Sequence, residues 1–100
     1  MTPIRLTLIT RRDCHLCDEM AAVIDRVAPG FSTAVEVLDV DADPGLHAQY
    51  TDQVPVLLIE GRRAFKYRVT ERELERHLRG VQRRHLLHEW RQRLTGRRTT

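Results

Sequence analysis

The sequence predicts an α/β fold, a four-stranded mixed sheet flanked by helices with an extra C-terminal helix. Three observations carry this expectation. The apolar segments 4–9 and 35–40 read as strands, and the stretch between them has helical periodicity, so they pair in parallel through a right-handed crossover. Two later apolar runs, 54–59 and 64–67, flank the short turn Glu60-Gly61-Arg62, the spacing of an antiparallel hairpin. A capping signal followed by apolar residues at helical steps then closes the order strand, helix, strand, helix, strand, strand, helix.

Each element has its own local reason. Ile4, Leu6 and Leu8 alternate with Arg5 and Thr7 before Ile9, as in a strand that becomes fully buried toward its end. Beyond Thr10, the residues Cys17, Met20, Ala21, Ile24 and Val27/Ala28 recur at three- and four-residue steps. Asp18, Glu19, Asp25 and Arg26 take the opposite face, and Pro29-Gly30 stops the helix. Asp43 is placed to cap a short helix that has Pro44 in its first position and runs to about Tyr50. The run 54–59 is continuously apolar, as a central strand is, and Pro55 is confined to its beginning because proline cannot donate to a ladder. Thr70-Glu71-Arg72-Glu73 is a capping box, and Leu74 and Leu78 give the following helix an apolar side to about Arg79. Gly80 is expected to end or swivel that helix. The chain then divides into a domain over 1–80 and a basic helical extension over 81–100 with the stripe Val81, Leu87, Trp90 and Leu94, and Leu86 beside it.

One hundred residues with 41% hydrophobic content make one domain with a modest core. No apolar run approaches the length of a membrane span, and the N-terminus enters a strand directly rather than through a basic region and a small-residue cleavage site. A cytoplasmic protein with no membrane association is therefore expected. Charge is uneven: residues 1–78 hold ten Arg/Lys against thirteen Asp/Glu, while 79–100 hold seven Arg against Glu89. Arg83, Arg84, Arg91, Arg93, Arg97 and Arg98 read as a solvated face around an apolar stripe. No aromatic platform is interleaved with them, so nucleic acid is not an expected partner. The stripe itself should pack onto its own domain or mediate a homodimer.

The chain's only cysteines, Cys14 and Cys17, stand three residues apart at the first strand–helix junction. On a helix that spacing is one turn, within reach of a disulfide. Cys14 would open the helix, where unpaired N–H groups and the macrodipole favour a thiolate, whereas Cys17 falls on the core stripe. A purely stabilising disulfide is a poor alternative, because so short a loop restricts the unfolded chain little. Structural zinc wants four ligands; five scattered histidines do not complete the site, and His85 and His88 are too close for the usual second half. Haem attachment needs histidine directly after the second cysteine, where Asp18 stands. Neither a metal nor a cofactor is expected.

This order of elements, with CxxC at the first junction and Val54-Pro55 opening the third strand, resembles the thioredoxin fold. It is closer to the small glutaredoxin-like proteins over about residues 4–79. Their pattern is followed by Cys14-His15-Leu16-Cys17-Asp18, by Asp39-Val40-Asp41-Ala42-Asp43-Pro44-Gly45-Leu46, by Tyr50-Thr51-Asp52-Gln53-Val54-Pro55-Val56-Leu57 and by Gly61. The resemblance implies that Pro55 is a cis proline facing the sulfurs and that His15, Leu16, Val54 and Pro55 border the substrate. It implies a thiol–disulfide oxidoreductase in which Cys14 is the nucleophile and Cys17 resolves. The expected partners are a disulfide-containing protein or low-molecular-weight thiol and a dithiol reductant. A protonated His15 would favour the Cys14 thiolate; Asp13, Asp18 and Glu19 would oppose it. The Gly-Gly-x-Asp turn by which relatives hold glutathione is replaced by Tyr67-Arg68-Val69-Thr70-Glu71, so glutathione is not an expected ligand. The alternatives are a redox-responsive adaptor of the same fold and, less favoured, a metal-binding CxxC protein.

Overall fold

Alternation along the first strand divides the core in two. In the computed structural model, which describes residues 2–96, β1 (Ile4–Thr10) lies inside a sheet of order β2-β1-β3-β4, with β2 spanning Thr33–Asp39, β3 Val56–Ile59 and β4 Arg62–Lys66. One face of β1 carries Ile4, Leu6 and Leu8 into a cluster with Met20, Ile24 and Val27 of α1 (His15–Val27). Leu74, Leu78 and Val81 of α3 (Glu71–Gly96) complete that cluster. Ile9 points the other way and joins Val40, Val56 and Tyr50, the last residue of α2 (Pro44–Tyr50). Leu6, Leu8, Leu74 and Leu78 are at most 1% exposed, and each such burial is worth about 1.5–3 kcal/mol.

The pairings follow the sequence pattern. β1 and β2 run parallel with Ile4 opposite Thr33 and Thr10 opposite Asp39, while β3 is antiparallel to both β1 and β4. The hairpin turn is Glu60-Gly61, with φ of 54° and 79°, so Arg62 belongs to β4 rather than to the turn. A two-residue loop with both central φ positive matches the right-handed strand twist. Glutamate there is held by its own side chain: the Arg5 N–H donates to Glu60 Oε2 at 3.1 Å, and His85 Nε2 bonds Glu60 Oε1.

The strongest departure from the sequence reading is α3. It does not end at Gly80 but runs unbroken as one 26-residue helix. Val81 supplies the reason: at 3% exposure it continues the stripe of Leu74 and Leu78 on the sheet, and its burial outweighs the roughly 1 kcal/mol that glycine costs a helix interior. Farther along, Leu86, Leu87, Trp90 and Leu94 are 46–58% exposed, so the domain does not cover the stripe expected to pack on it. Arg97 and Arg98, grouped above with the basic face, lie outside the described residues. Among the described residues no helix is long and apolar enough to cross a membrane.

The capping box forms as the sequence pattern requires. The Thr70 N–H donates to Glu73 Oε1 at 2.9 Å, and the Glu73 N–H donates to Thr70 Oγ1 at 3.1 Å. The bond from the Thr70 backbone, followed by that from its hydroxyl, holds the Glu73 carboxyl below its usual value of 4.5. The folded state thus binds this proton less readily than the unfolded chain, and the cap's contribution, full above the ordinary carboxylate value, is lost as pH falls through the folded one. The excess in melting temperature of the natural protein over Glu73→Ala should therefore shrink as the pH falls below the ordinary carboxylate value of 4.5. Circular dichroism melts would measure it; a gap that widens toward acid would contradict the assignment.

Candidate active site

Leaving β1 at Thr10, the chain turns through Asp13 at φ 55°, a left-handed conformation that aspartate tolerates better than most residues. Cys14 is then extended (φ −110°, ψ 105°) and serves as N-cap of α1, its carbonyl accepting the Asp18 N–H at 3.1 Å. Its Sγ accepts the Cys17 N–H at 3.2 Å, the contact a Ser or Asp oxygen would make at an ordinary cap. The sulfur thus sits where free N–H groups and the macrodipole favour negative charge. A disulfide joins Cys14 to Cys17, with Cα atoms 5.2 Å apart. Cys17 is 2% exposed on the stripe of Met20 and Ile24, whereas Cys14 is partly open to solvent.

The sheet brings a second segment to the same end. Ile9 pairs with Val56, so the residues just ahead of β3 lie beside the loop that carries the cysteines. There the Val54-Pro55 peptide bond is cis, and Pro55 is fully buried. The Pro55 carbonyl accepts the Tyr67 N–H at 2.8 Å, and the Tyr67 hydroxyl donates to the Asp52 carbonyl at 3.0 Å. Among the described residues the Val54 backbone bonds no other backbone group. His15 stands 87% exposed on the outer face of the first turn, its Nε2 3.5 Å from Glu19 Oε1; Leu16 is half-buried. Arg68 Nη1 approaches the other oxygen of Glu19 at 3.6 Å. A groove of about 410 Å³ continues from Met20 and Val23 to Tyr67, Val69 and Thr70, where the Thr70 N–H is already engaged by Glu73. Among the described residues no group of three or more His, Cys, Asp or Glu gathers to hold a metal ion.

Arg11 is the residue that sequence reasoning missed. Its Nε and Nη2 donate to Asp41 Oδ2 and Oδ1 at 2.9 and 3.1 Å. Nη1 and Nη2 also reach the Thr51 carbonyl and hydroxyl, each at 3.0 Å. The hydrogen bond from Arg11 holds the Asp41 carboxyl below its usual range. This fork ties the cysteine loop to the chain on both sides of α2. A signal existed: Thr10 and Asp39 end parallel partners, so Arg11, one residue on, and Asp41, two residues on, emerge side by side.

With this geometry in view, residues 5–79 match the glutaredoxin-like domain family. The chain belongs to that family. The glutaredoxin-like domain is similar to protein XcR50 of X. campestris, at 29% identity and a TM-score of 0.64, covering 75% of this chain and 96% of that one. It is also similar to protein Rv0508 of Mycobacterium tuberculosis, at 29% identity over 79 residues, 74% of this chain and 81% of the relative. Thioredoxin 1 of Thermosipho africanus, 22% identical with a TM-score of 0.54 over 78% of this chain and 98% of its own, shares the fold. The domain is thus a glutaredoxin-like member of the thioredoxin fold with a Cys14–Cys17 pair and an extended last helix. The family match stops at residue 79, inside α3.

If the Arg11 fork positions the cysteine loop, Arg11→Ala should leave helix content unchanged yet speed amide hydrogen exchange at residues 12–14 and 41–42, while Leu6 and Leu8 in β1 keep their protection. Unaltered exchange at 12–14 would show that the loop is held by other contacts.

Proposed function

We propose that this glutaredoxin-like domain is a dithiol thiol–disulfide oxidoreductase, with Cys14 as nucleophile and Cys17 as resolving thiol. The observation that carries the reading is the 3.2 Å contact from the Cys17 N–H to Cys14 Sγ at the start of α1, beside a Cys17 that is itself buried. In the reduced protein the Cys14 thiolate attacks one sulfur of a substrate disulfide. The substrate S–S bond breaks, one half leaves as thiolate and takes a proton from water, and the other stays on Cys14 as a mixed disulfide. Cys17 then loses its proton and attacks Cys14 Sγ, expelling the second half as a thiol. The substrate gains two electrons and the protein is left with the Cys14–Cys17 disulfide. A dithiol reductant returns it to the start.

Substrate would approach over His15 and Leu16 and lie along the backbone of Val54 and Pro55. The uncommitted Val54 peptide groups suit an extended segment that adds one more strand-like partner. The reading places the protein in the cytoplasm, where dithiols are held reduced and used transiently. Exposed Leu86, Leu87, Trp90 and Leu94 favour a second reading, an adaptor whose redox state governs partner binding; multiple turnover with a dithiol donor, if measured, would argue against it.

Alkylation of the reduced protein near neutral pH should label Cys14 before Cys17. Cys17→Ser should accumulate a mixed disulfide with substrate, and Cys14→Ser should form none and lose turnover to background. Preferential labelling of Cys17, or a trapped complex in Cys14→Ser, would reverse the roles.

Glutathione should serve poorly. The glycine pair is absent at residues 67–70 and the Thr70 N–H is spent in the capping box, so at least one backbone donor to a tripeptide is lost, worth roughly five- to tenfold in affinity. Turnover of a small disulfide with glutathione as sole donor should fall well below that with a dithiol at equal thiol concentration. Equal rates would place the protein among glutathione-dependent glutaredoxins.

A further inference from the structure

At the opposite end of β3 from Pro55, a cleft of about 580 Å³ opens between the hairpin and α3, away from the cysteines and unused by the chemistry above. Its floor is apolar, formed by Ile59, Ala64 and Val81, and its walls carry Arg62 and Arg84 with His77 and His85. The one acid among the lining residues, Glu60, is already engaged. The Arg5 N–H and Nε reach Glu60 Oε2 at 3.1 and 3.3 Å, and His85 bonds its other oxygen. Arg63, paired with Leu58, turns to the other face of the sheet and donates to Gln53 Oε1 at 2.8 Å, while Arg62 and Arg84 make no hydrogen bond or ion pair among the described residues. Two guanidiniums, those of Arg62 and Arg84, therefore line the cleft without an ion-pair partner of their own.

His77 lines the same cleft. The His77 ring packs edge-on against Phe65 at 5.5 Å, and its pKa is lowered first by burial and then by the positive charge of Arg84. Guanidinium forks match the planar geometry of phosphate and carboxylate, and the volume falls in the range of small-molecule sites. We propose that this cleft binds a small, multiply charged anion bearing phosphate or carboxylate groups, with Arg62 and Arg84 as its principal contacts. Because the family match ends at residue 79, Arg84 and His85 come from the part of α3 outside it, and the site is a feature of this chain rather than of the matched domain.

The test is calorimetric titration of the full chain with inorganic pyrophosphate and, separately, with citrate. At least one should bind saturably with one site, and the tighter of the two names the group recognised. The double variant Arg62→Ala/Arg84→Ala should weaken binding by about tenfold or more. A control pair, Arg83→Ala/Arg93→Ala, removes equal charge beside Leu86 and Trp90 and should change affinity by less than about twofold. Binding should also raise the titration midpoint of the His77 ring followed by NMR. Absence of saturable binding by both probes, equal losses in the two double variants, or an unmoved His77 titration with binding intact would each overturn the proposal.

Discussion

The Cys17 N–H donates to Cys14 Sγ at 3.2 Å, and that contact does two jobs at once. A helix start leaves N–H groups without partners, and a side-chain acceptor is normally oxygen. Sulfur is a weak acceptor as a thiol and a far better one as a thiolate, so capping α1 and stabilising negative charge on Cys14 are the same interaction. The rest of the site is built around it. Cys17 cannot drift from Cys14, because Met20 and Ile24 on its own stripe are fixed against β1. The resulting Cα separation of 5.2 Å is a property of the packed helix and not of the disulfide, whose short loop does little for stability. Helix-terminal electrostatics are worth only about 0.3–1 kcal/mol, and Asp13, Asp18 and Glu19 oppose them. Arg68, 3.6 Å from Glu19, supplies a positive charge that offsets part of that opposition.

A cap at the end of β1 is useful only if something faces it. Antiparallel pairing of β1 with β3 brings the Val54-Pro55 segment to the same end of the sheet, and Arg11 then ties the intervening loop to Asp41 and Thr51. Strand register and one guanidinium therefore set the relation between two segments some forty residues apart in sequence. Neither depends on the identity of His15 or Leu16. His15 lies exposed on the outer surface of the first turn and Leu16 is half-buried beside it, so under the proposed function they are placed to vary the contacts offered to a substrate without disturbing the sulfurs.

How much of this was legible depends on whether the cause is local. Strand alternation at Ile4, Leu6 and Leu8, the Asp43 cap with Pro44 and the Thr70 capping box are written within a few residues, and the structure forms all three. The cysteine spacing is local as well. Arg11 was missed because its partners lie thirty and forty residues away and its signal is readable only once β1 and β2 are known to end together. Glu60 in a left-handed turn was invisible for the same reason: Arg5 and His85, which hold it, come from the first strand and the last helix.

Gly80 shows where local reasoning fails outright. Taken alone, a glycine after Leu78 and Arg79 is a good helix stop, and the change to an arginine-rich composition strengthens that impression. The deciding residue is the next one. Val81 buries itself against the core formed by β1, α1 and α3, contributing about 1.5–3 kcal/mol, and it can do so only if the helix continues through the glycine. Continuity carries a structural consequence: residues 81–96 are not a free tail but the continuation of a core helix, with its direction fixed by Leu74 and Leu78. Arg84 and His85 consequently arrive at the hairpin at a defined height, one helical turn beyond Val81, opposite Arg62 and Glu60. A flexible tail with the same arginines would spread its charge through solvent, whereas a packed helix places it on one wall of a cleft.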